Sequence, residues 1–370
     1  MSQREEFVRF ATQEGANRRE LCRRYGISPK TGYKWLNRAA QDPDASLEDR
    51  SRRPHASPRR TPPQMEALLV EGRQLHPSWG GRKLHHWLGQ RGVDDVPEPS
   101  TITDILHRYD LIDPQRTLDQ QAPQRFEHPV PNALWQLDFM GHLPMVSGRM
   151  HPLTLIDDHS RFALGIWACP NQQRTIVEEA LTDTFRRYGL PASMLADNGP
   201  PWGPSGGGGL TAFEAWLIRL GITVRHGRPY HPQTQGKVER FHRTLATEVT
   251  RTQRFVDLAA AQRSFDRWRH TYNLERPHEA LAYAPPASRY HPSPLPFPAS
   301  LPPIEYGPGD AVRIVRGQGS ISFQHRIFFV SRGVIGLPVA IRPTATDGVF
   351  AVYFCHHQVR TVDLNECPKV

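Results

Sequence analysis

The chain has 370 residues, too many for one small domain, and its 38% hydrophobic content supports at least one sizeable core. A formal net charge of +9 points to a polyanionic partner, most simply nucleic acid. The opening MSQREEFVRF has no apolar signal core, no run approaches the roughly 18 apolar residues of a membrane span, and Cys22, Cys169, Cys355 and Cys367 form no C-x-x-C pair. These features exclude a zinc knuckle and a disulfide framework, and the expectation is a reduced cytoplasmic chain with no membrane partner.

Residues 1–41 read as three helices. Ser2 can cap the first, which sets Phe7, Phe10 and Ala11 at helical spacing; Asn17 can cap a second carrying Leu21, Cys22 and Tyr25. Gly26-Ile27-Ser28-Pro29 supplies a turn glycine, a capping serine and a proline at the first helical position. The third helix sets Trp35 and Leu36 inward and presents Lys30, Thr31, Lys34 and Arg38. Two short helices joined by a glycine-containing turn, the second of them basic, make a helix-turn-helix, and those four residues are its candidate DNA contacts. A three-helix bundle with a solvated basic face is the competing reading.

A polar, Arg-rich connector leads to a second helix-turn-helix-like unit at 60–112. Its first helix carries Met65, Leu68, Leu69 and Leu75 on one face, its second Leu84, Trp87 and Leu88, and its third Ile102, Ile105, Leu106 and Tyr109. Residues 113–131 are polar and proline-punctuated, a linker. From 132 to 283 the pattern becomes strands and helices: LWQLDFMG, HPLTLID and RFALGIWA, a helix near 173–188, the strand SMLAD, a Gly-rich loop from Gly203 to Gly209, a helix near 211–220, the strand ITVRH, and closing helices. That order describes a mixed-sheet α/β domain. Eight prolines in 284–303 predict an extended linker, and the short strands of 304–366 a small β-barrel or sandwich.

Three acids stand out. Asp138 lies inside an apolar strand, between Leu137 and Phe139, where an unpaired carboxylate is costly. Asp197 ends a later strand, where open sheets place ligand sites. Glu239 sits on a helix whose Phe241, Leu245 and Val249 can face the sheet, leaving Glu239 and Arg243 on another stripe. Three carboxylates from two strands and a helix can hold two divalent cations about 3.5–4 Å apart, a site for in-line phosphoryl transfer. Each acid alone also fits a turn or a solvated helix; the joint pattern favours a site. Glu178, Glu179, Glu214 and Glu248 are rivals to Glu239, and Glu248 lies about 13 Å further along the same helix. Asp157-Asp158-His159-Ser160 reads as a structural turn, and His85-His86 and His356-His357 as surface or core histidines.

Trp135-Gln136-Leu137-Asp138, Asp197-Asn198-Gly199 and the stretch from Tyr230 to Glu239 resemble, in order, the three catalytic blocks of retroviral integrases. They resemble more closely those of bacterial insertion-sequence transposases with an integrase-type core. Tyr272-Asn273, Arg276-Pro277-His278 and Ala280-Leu281 are similar to the end of that core. The resemblance implies an RNase H-like fold for the α/β core, with Asp138, Asp197 and Glu239 as ligands of two Mg²⁺ or Mn²⁺ ions. It implies cleavage at element ends followed by attack of the freed 3′-hydroxyl on target DNA. The implied partners are double-stranded DNA and further copies of the chain, as a homo-oligomer on DNA associated with the nucleoid.

Tyr230 and Gln235 fall where the family places DNA-contacting loop residues. Lys237, Arg240 and Arg243 are candidate phosphate contacts, with a solvated basic helix face as the alternative. Three departures stand beside the likeness: a long gap from Asp197 to Glu239, Ala246 where the family usually has a basic residue, and no His₂Cys₂ zinc module. A catalytically silent DNA-binding regulator is the competing function, and the intact acidic triad argues against it.

Overall fold

The computed structural model describes residues 2–41, 47, 60–112, 127–196, 202, 209–226 and 236–365. Asp197, Tyr230 and Gln235 lie outside the described residues, as do the expected connectors at 42–46, 48–59 and 113–126. Two compact units are present, Met1–Arg60 and Thr61–Val370. No described helix is long and apolar enough to cross a membrane.

The first unit holds α1 (Gln3–Ala11), α2 (Arg18–Arg24) and α3 (Pro29–Gln41) around Phe7, Ala11, Cys22, Trp35 and Leu36. Each start is chemically marked. Ser2 and Glu5 form a reciprocal capping box, Asn17 accepts from the Glu20 amide, and Ser28 Oγ accepts from the Thr31 amide. A Cβ on Gly32 would fall 2.7 Å from Cys22 Sγ and 2.8 Å from the Phe7 ring, so α3 packs this closely only because residue 32 has none.

The second unit opens with α4 (Pro63–Leu75), α5 (Gly81–Gln90) and α6 (Pro99–Arg108), packed on Leu69, Trp79, Leu84, Trp87, Ile102, Ile105 and Leu106. The face predicted for α4 is corrected. Leu68 and Leu75 are exposed, and Glu66, Leu69 and Gly72 point inward. Polar pairing explains the rotation: Glu66 accepts from Arg108 and Tyr109, while Arg73 donates to the carbonyls of Trp79 and Leu111. Tyr109 is itself half-exposed.

A mixed sheet follows, formed by β1 (Trp135–Phe139), β2 (Leu143–Met145), β3 (Gly148–Asp157), β4 (Ala163–Cys169), β5 (Ser193–Ala196) and β6 (Thr223–His226). β3 pairs antiparallel with β4, β1 and the short β2; β1 and β5, and β5 and β6, pair in parallel. Side chains alternate between the two faces of the sheet. Trp135, Leu137, Leu153 and Leu155 meet α7 (Arg174–Tyr188) and α8 (Ala212–Arg219) on one face. Met150, Ile156 and Ile166 meet α9 (Gly236–Leu245) and α10 (Leu258–Leu274) on the other. Val238, Phe241 and Leu245 are the buried stripe of α9, which runs into a π-helical turn at Ala246–Thr250. Ala246 is buried there.

The proline-rich stretch is not a loose spacer. Tyr290 stacks on Phe162 at 4.2 Å, Phe297 packs against Phe185, and the Leu190 amide donates to the Leu295 carbonyl. Beyond it come β7 (Ala311–Ile314), β8 (Ser320–Phe323), β9 (Arg326–Phe329), β10 (Pro338–Pro343), β11 (Val349–Phe354) and β12 (His357–Asp363). The expected barrel is corrected. The strands form an open antiparallel sheet in the order β12-β11-β10-β7 and a separate hairpin of β8 and β9, with no closed ring among the described residues. Closure is replaced by packing on a helix. Val315, Val334, Val339 and Ile341 share one core with Ala215 and Ile218 of α8, and the Gly333 amide donates to the Leu210 carbonyl.

Candidate active site

Asp138 owes its place to strand alternation. Leu137 faces the apolar layer under α7, so Gln136 and Asp138 face α9. Opposite Asp138 in the register stands Thr154, whose hydroxyl donates to the Asp138 carbonyl at 3.0 Å. That hydroxyl has one proton, so its 2.7 Å contact with His242 Nε2 places a hydrogen on Nε2. The Nδ1 lone pair is left toward the Asp138 carboxylate, 3.9 Å away. This spacing would form an ion pair only with a protonated ring. Burial holds His242 neutral and lowers its pKa to about 4.

His242 lies three residues after Glu239 on α9, about one helical turn. The helix bearing Glu239 therefore rests against the strand bearing Asp138. Glu239 is exposed in the first turn of α9, where a carboxylate suits the positive end of the helix dipole. The Asp138 side chain is 24% exposed. β5, the parallel neighbour of β1, ends at Ala196, the residue before Asp197. Among the described residues no three His, Cys, Asp or Glu side chains form a metal-holding group.

The rival glutamates have other surroundings. Glu178 pairs with Arg174 at 3.5 Å, and burial raises its pKa. Glu214 is buried, accepts from the Thr211 amide and pairs with His226 at 2.7 Å. Glu248 accepts from Ser78, Trp268 and Arg276, which ties α10 and the segment after α4 to the π turn. Glu179 is exposed on α7.

The candidate DNA contacts divide in the same way. Lys30 and Lys34 are exposed on α3. Thr31 instead turns its hydroxyl to Ser28, 2.9 Å away, and Arg38 is half-buried. Arg240 and Arg243 are exposed on α9. Lys237, also a candidate phosphate contact, has its ammonium held by the Asp158 carboxylate and carbonyl. Burial and nearby Arg161 lower its pKa, and the Asp158 pair opposes them.

The turn after β3 is structural, as its composition suggests. Asp157 accepts from the Asn132 amide and from the Ser160 amide and hydroxyl, while burial raises its pKa. His242 and the Asp158–Lys237 pair have no counterpart in the sequence reading. The helical i, i+3 spacing from Glu239 could have flagged His242; nothing local links residues 158 and 237.

Residues 128–232 and 220–286 each match the integrase core domain family. Residues 3–55 match a helix-turn-helix domain family and residues 31–106 a homeodomain-like domain family. Residues 310–368 match the C-terminal domain of IS481 family transposases. The chain is 28% identical over 157 residues to an uncharacterized 31.7 kDa protein of insertion element IS407 from Burkholderia multivorans, covering 42% of this chain and 54% of that one. It is 27% identical over 235 residues to an uncharacterized 39.2 kDa protein of insertion element IS476 from Xanthomonas euvesicatoria, covering 60% and 63%. The chain thus spans less than two thirds of either relative. A chain of the simian T-cell lymphotropic virus intasome, solved with PP2A regulatory subunit B56 gamma, gives a TM-score of 0.40 at 13% identity, covering 81% of this chain and 100% of that one.

Proposed function

We propose that this chain, which carries the domain set of an insertion-sequence transposase with an integrase-type core, cuts DNA at element ends and joins the freed ends to a target. Asp138, Asp197 and Glu239 are its acidic triad, on an RNase H-like core. The observation that carries this reading is the seating of α9, with Glu239 in its first turn, against the central strand that bears Asp138.

The donor set suits Mg²⁺ or Mn²⁺, both hard cations that prefer carboxylate oxygens. The neutral imidazole beside Asp138 brings no competing positive charge. Two such ions, when bound, would activate an attacking water or 3′-hydroxyl and stabilise the leaving oxygen. The chain's own residues do the rest. Arg240 and Arg243 follow Glu239 on the exposed side of α9 and are the phosphate-holding pair. Lys30 and Lys34 on α3 engage element-end DNA. Double-stranded DNA is the substrate, and the active form is a homo-oligomer assembled on it.

Substitution tests this directly. Asp138→Asn or Glu239→Gln should lower Mg²⁺-dependent cleavage of end-bearing DNA by about a thousandfold or more while end binding stays near wild type. Glu178→Gln should retain substantial activity. Normal cleavage by Glu239→Gln would require a different triad.

A further inference from the structure

The Asp158–Lys237 pair has a feature beyond its burial. Asp158 Oδ1 accepts from Gln136 Nε2 at 2.7 Å. Its Oδ2 accepts from the His128 amide at 2.9 Å and pairs with Lys237 Nζ, which also reaches the Asp158 carbonyl at 3.1 Å. Gln136 stands two residues before Asp138 on β1, and Lys237 two residues before Glu239 in the first turn of α9. A single carboxylate therefore binds one residue from the strand and one from the helix that carry the two described acids of the proposed triad.

Asp158 and Gln136 are 1% and 2% exposed, so these bonds form away from water, where losing one is costly. The chemistry also has one workable orientation. A carboxylate only accepts, which turns the Gln136 amide nitrogen toward it and leaves Gln136 Oε1 without a partner among the described residues. Gln136 and Asp138 share a face of β1, about 7 Å apart along the strand, and Lys237 precedes Glu239 by about 3 Å of helical rise. The apolar stripe of Val238, Phe241 and Leu245 presses α9 on the sheet, and the Asp158–Lys237 pair adds a polar tie at its first turn. Divalent-ion sites need their ligands held to a fraction of an ångström, and residues behind the ligands supply that constraint.

We propose that Asp158 is a positioning residue that fixes the first turn of α9, and with it Glu239, against the strand carrying Asp138. This inference rests on the proposed triad for its consequence, but the clamp has its own readout. In the full-length protein under chelation, Asp158→Asn should speed amide hydrogen exchange in residues 236–242 by at least about tenfold, with exchange in β11 and β12 unchanged. Lys237→Met, which removes only the helix-side arm and no charged acceptor, should loosen the same residues. It keeps the test decisive if Asp158→Asn fails to fold. Asp158→Asn should also weaken Mn²⁺ binding, read by electron paramagnetic resonance, by about tenfold. Asp310→Asn, which breaks the remote pair with Arg342 in the C-terminal sheet, should change neither readout. Wild-type exchange at 236–242 in Lys237→Met would overturn the clamp. Mn²⁺ binding by wild type no stronger than by Glu239→Gln would instead overturn the triad, leaving the exchange result to judge the clamp alone.

Discussion

Glu248 is a part-buried carboxylate, its side chain 12% exposed, with three side-chain donors, Ser78, Trp268 and Arg276, at 2.7–3.2 Å. Burial pushes its pKa up, but Arg276 and the two neutral donors prevail and hold it below the usual glutamate value. The sign follows from linkage: a carboxylate with a lowered folded pKa stabilises above its unfolded value, about 4.5, and that stability is lost as pH falls through the folded one. Glu248→Ala should cost about 3–5 kcal/mol at pH 7, because Arg276 is left buried without its partner. The gap between wild type and variant in denaturant unfolding should narrow steadily below pH 4.5. A gap unchanged down to pH 3 would mean that the ion pair is not what stabilises this junction.

At the scale of elements, α3 and α9 are the two helices with exposed cations that the proposed function uses. Changing both Lys30 and Lys34 to Ala should weaken end-DNA binding and flatten its salt dependence by about 0.9 in log–log slope per lost phosphate contact. An unchanged slope in a filter-binding titration would remove α3 from the interface. Both helices were legible from spacing alone, since Trp35 and Leu36 in one and Phe241 and Leu245 in the other, continued by Val249 in the π turn, mark the buried stripe by periodicity. α4 was not, because Glu66 and Arg73 are turned inward by partners more than thirty residues away at Arg108, Tyr109 and Leu111. Hydrophobic periodicity carries no signal for a buried polar seam. The same limit hid Asp158–Lys237, a pairing of residues 79 apart.

For the molecule as a whole, strand and helix order in the core followed from the sequence except for the short β2, while the open arrangement of the C-terminal strands did not. Turn spacing predicts strands but not whether the outer two meet. Here β7 and β12 remain edges, and the apolar face is covered by α8 instead. The proline-rich stretch likewise read as a spacer because prolines suppress regular structure; its Tyr290 and Phe297 nonetheless find ring partners on the core. The described part of the candidate site depends on this long-range assembly. β1 sits centrally in the sheet, and its Asp138 meets a helix that begins 98 residues later. The most direct test is joining of end-bearing DNA to target DNA by the purified full-length protein with Mg²⁺, then with chelator. The proposal requires joined product with Mg²⁺, none under chelation, and no covalent protein–DNA adduct at either stage. Undiminished joining in chelator, or a trapped adduct, would contradict it.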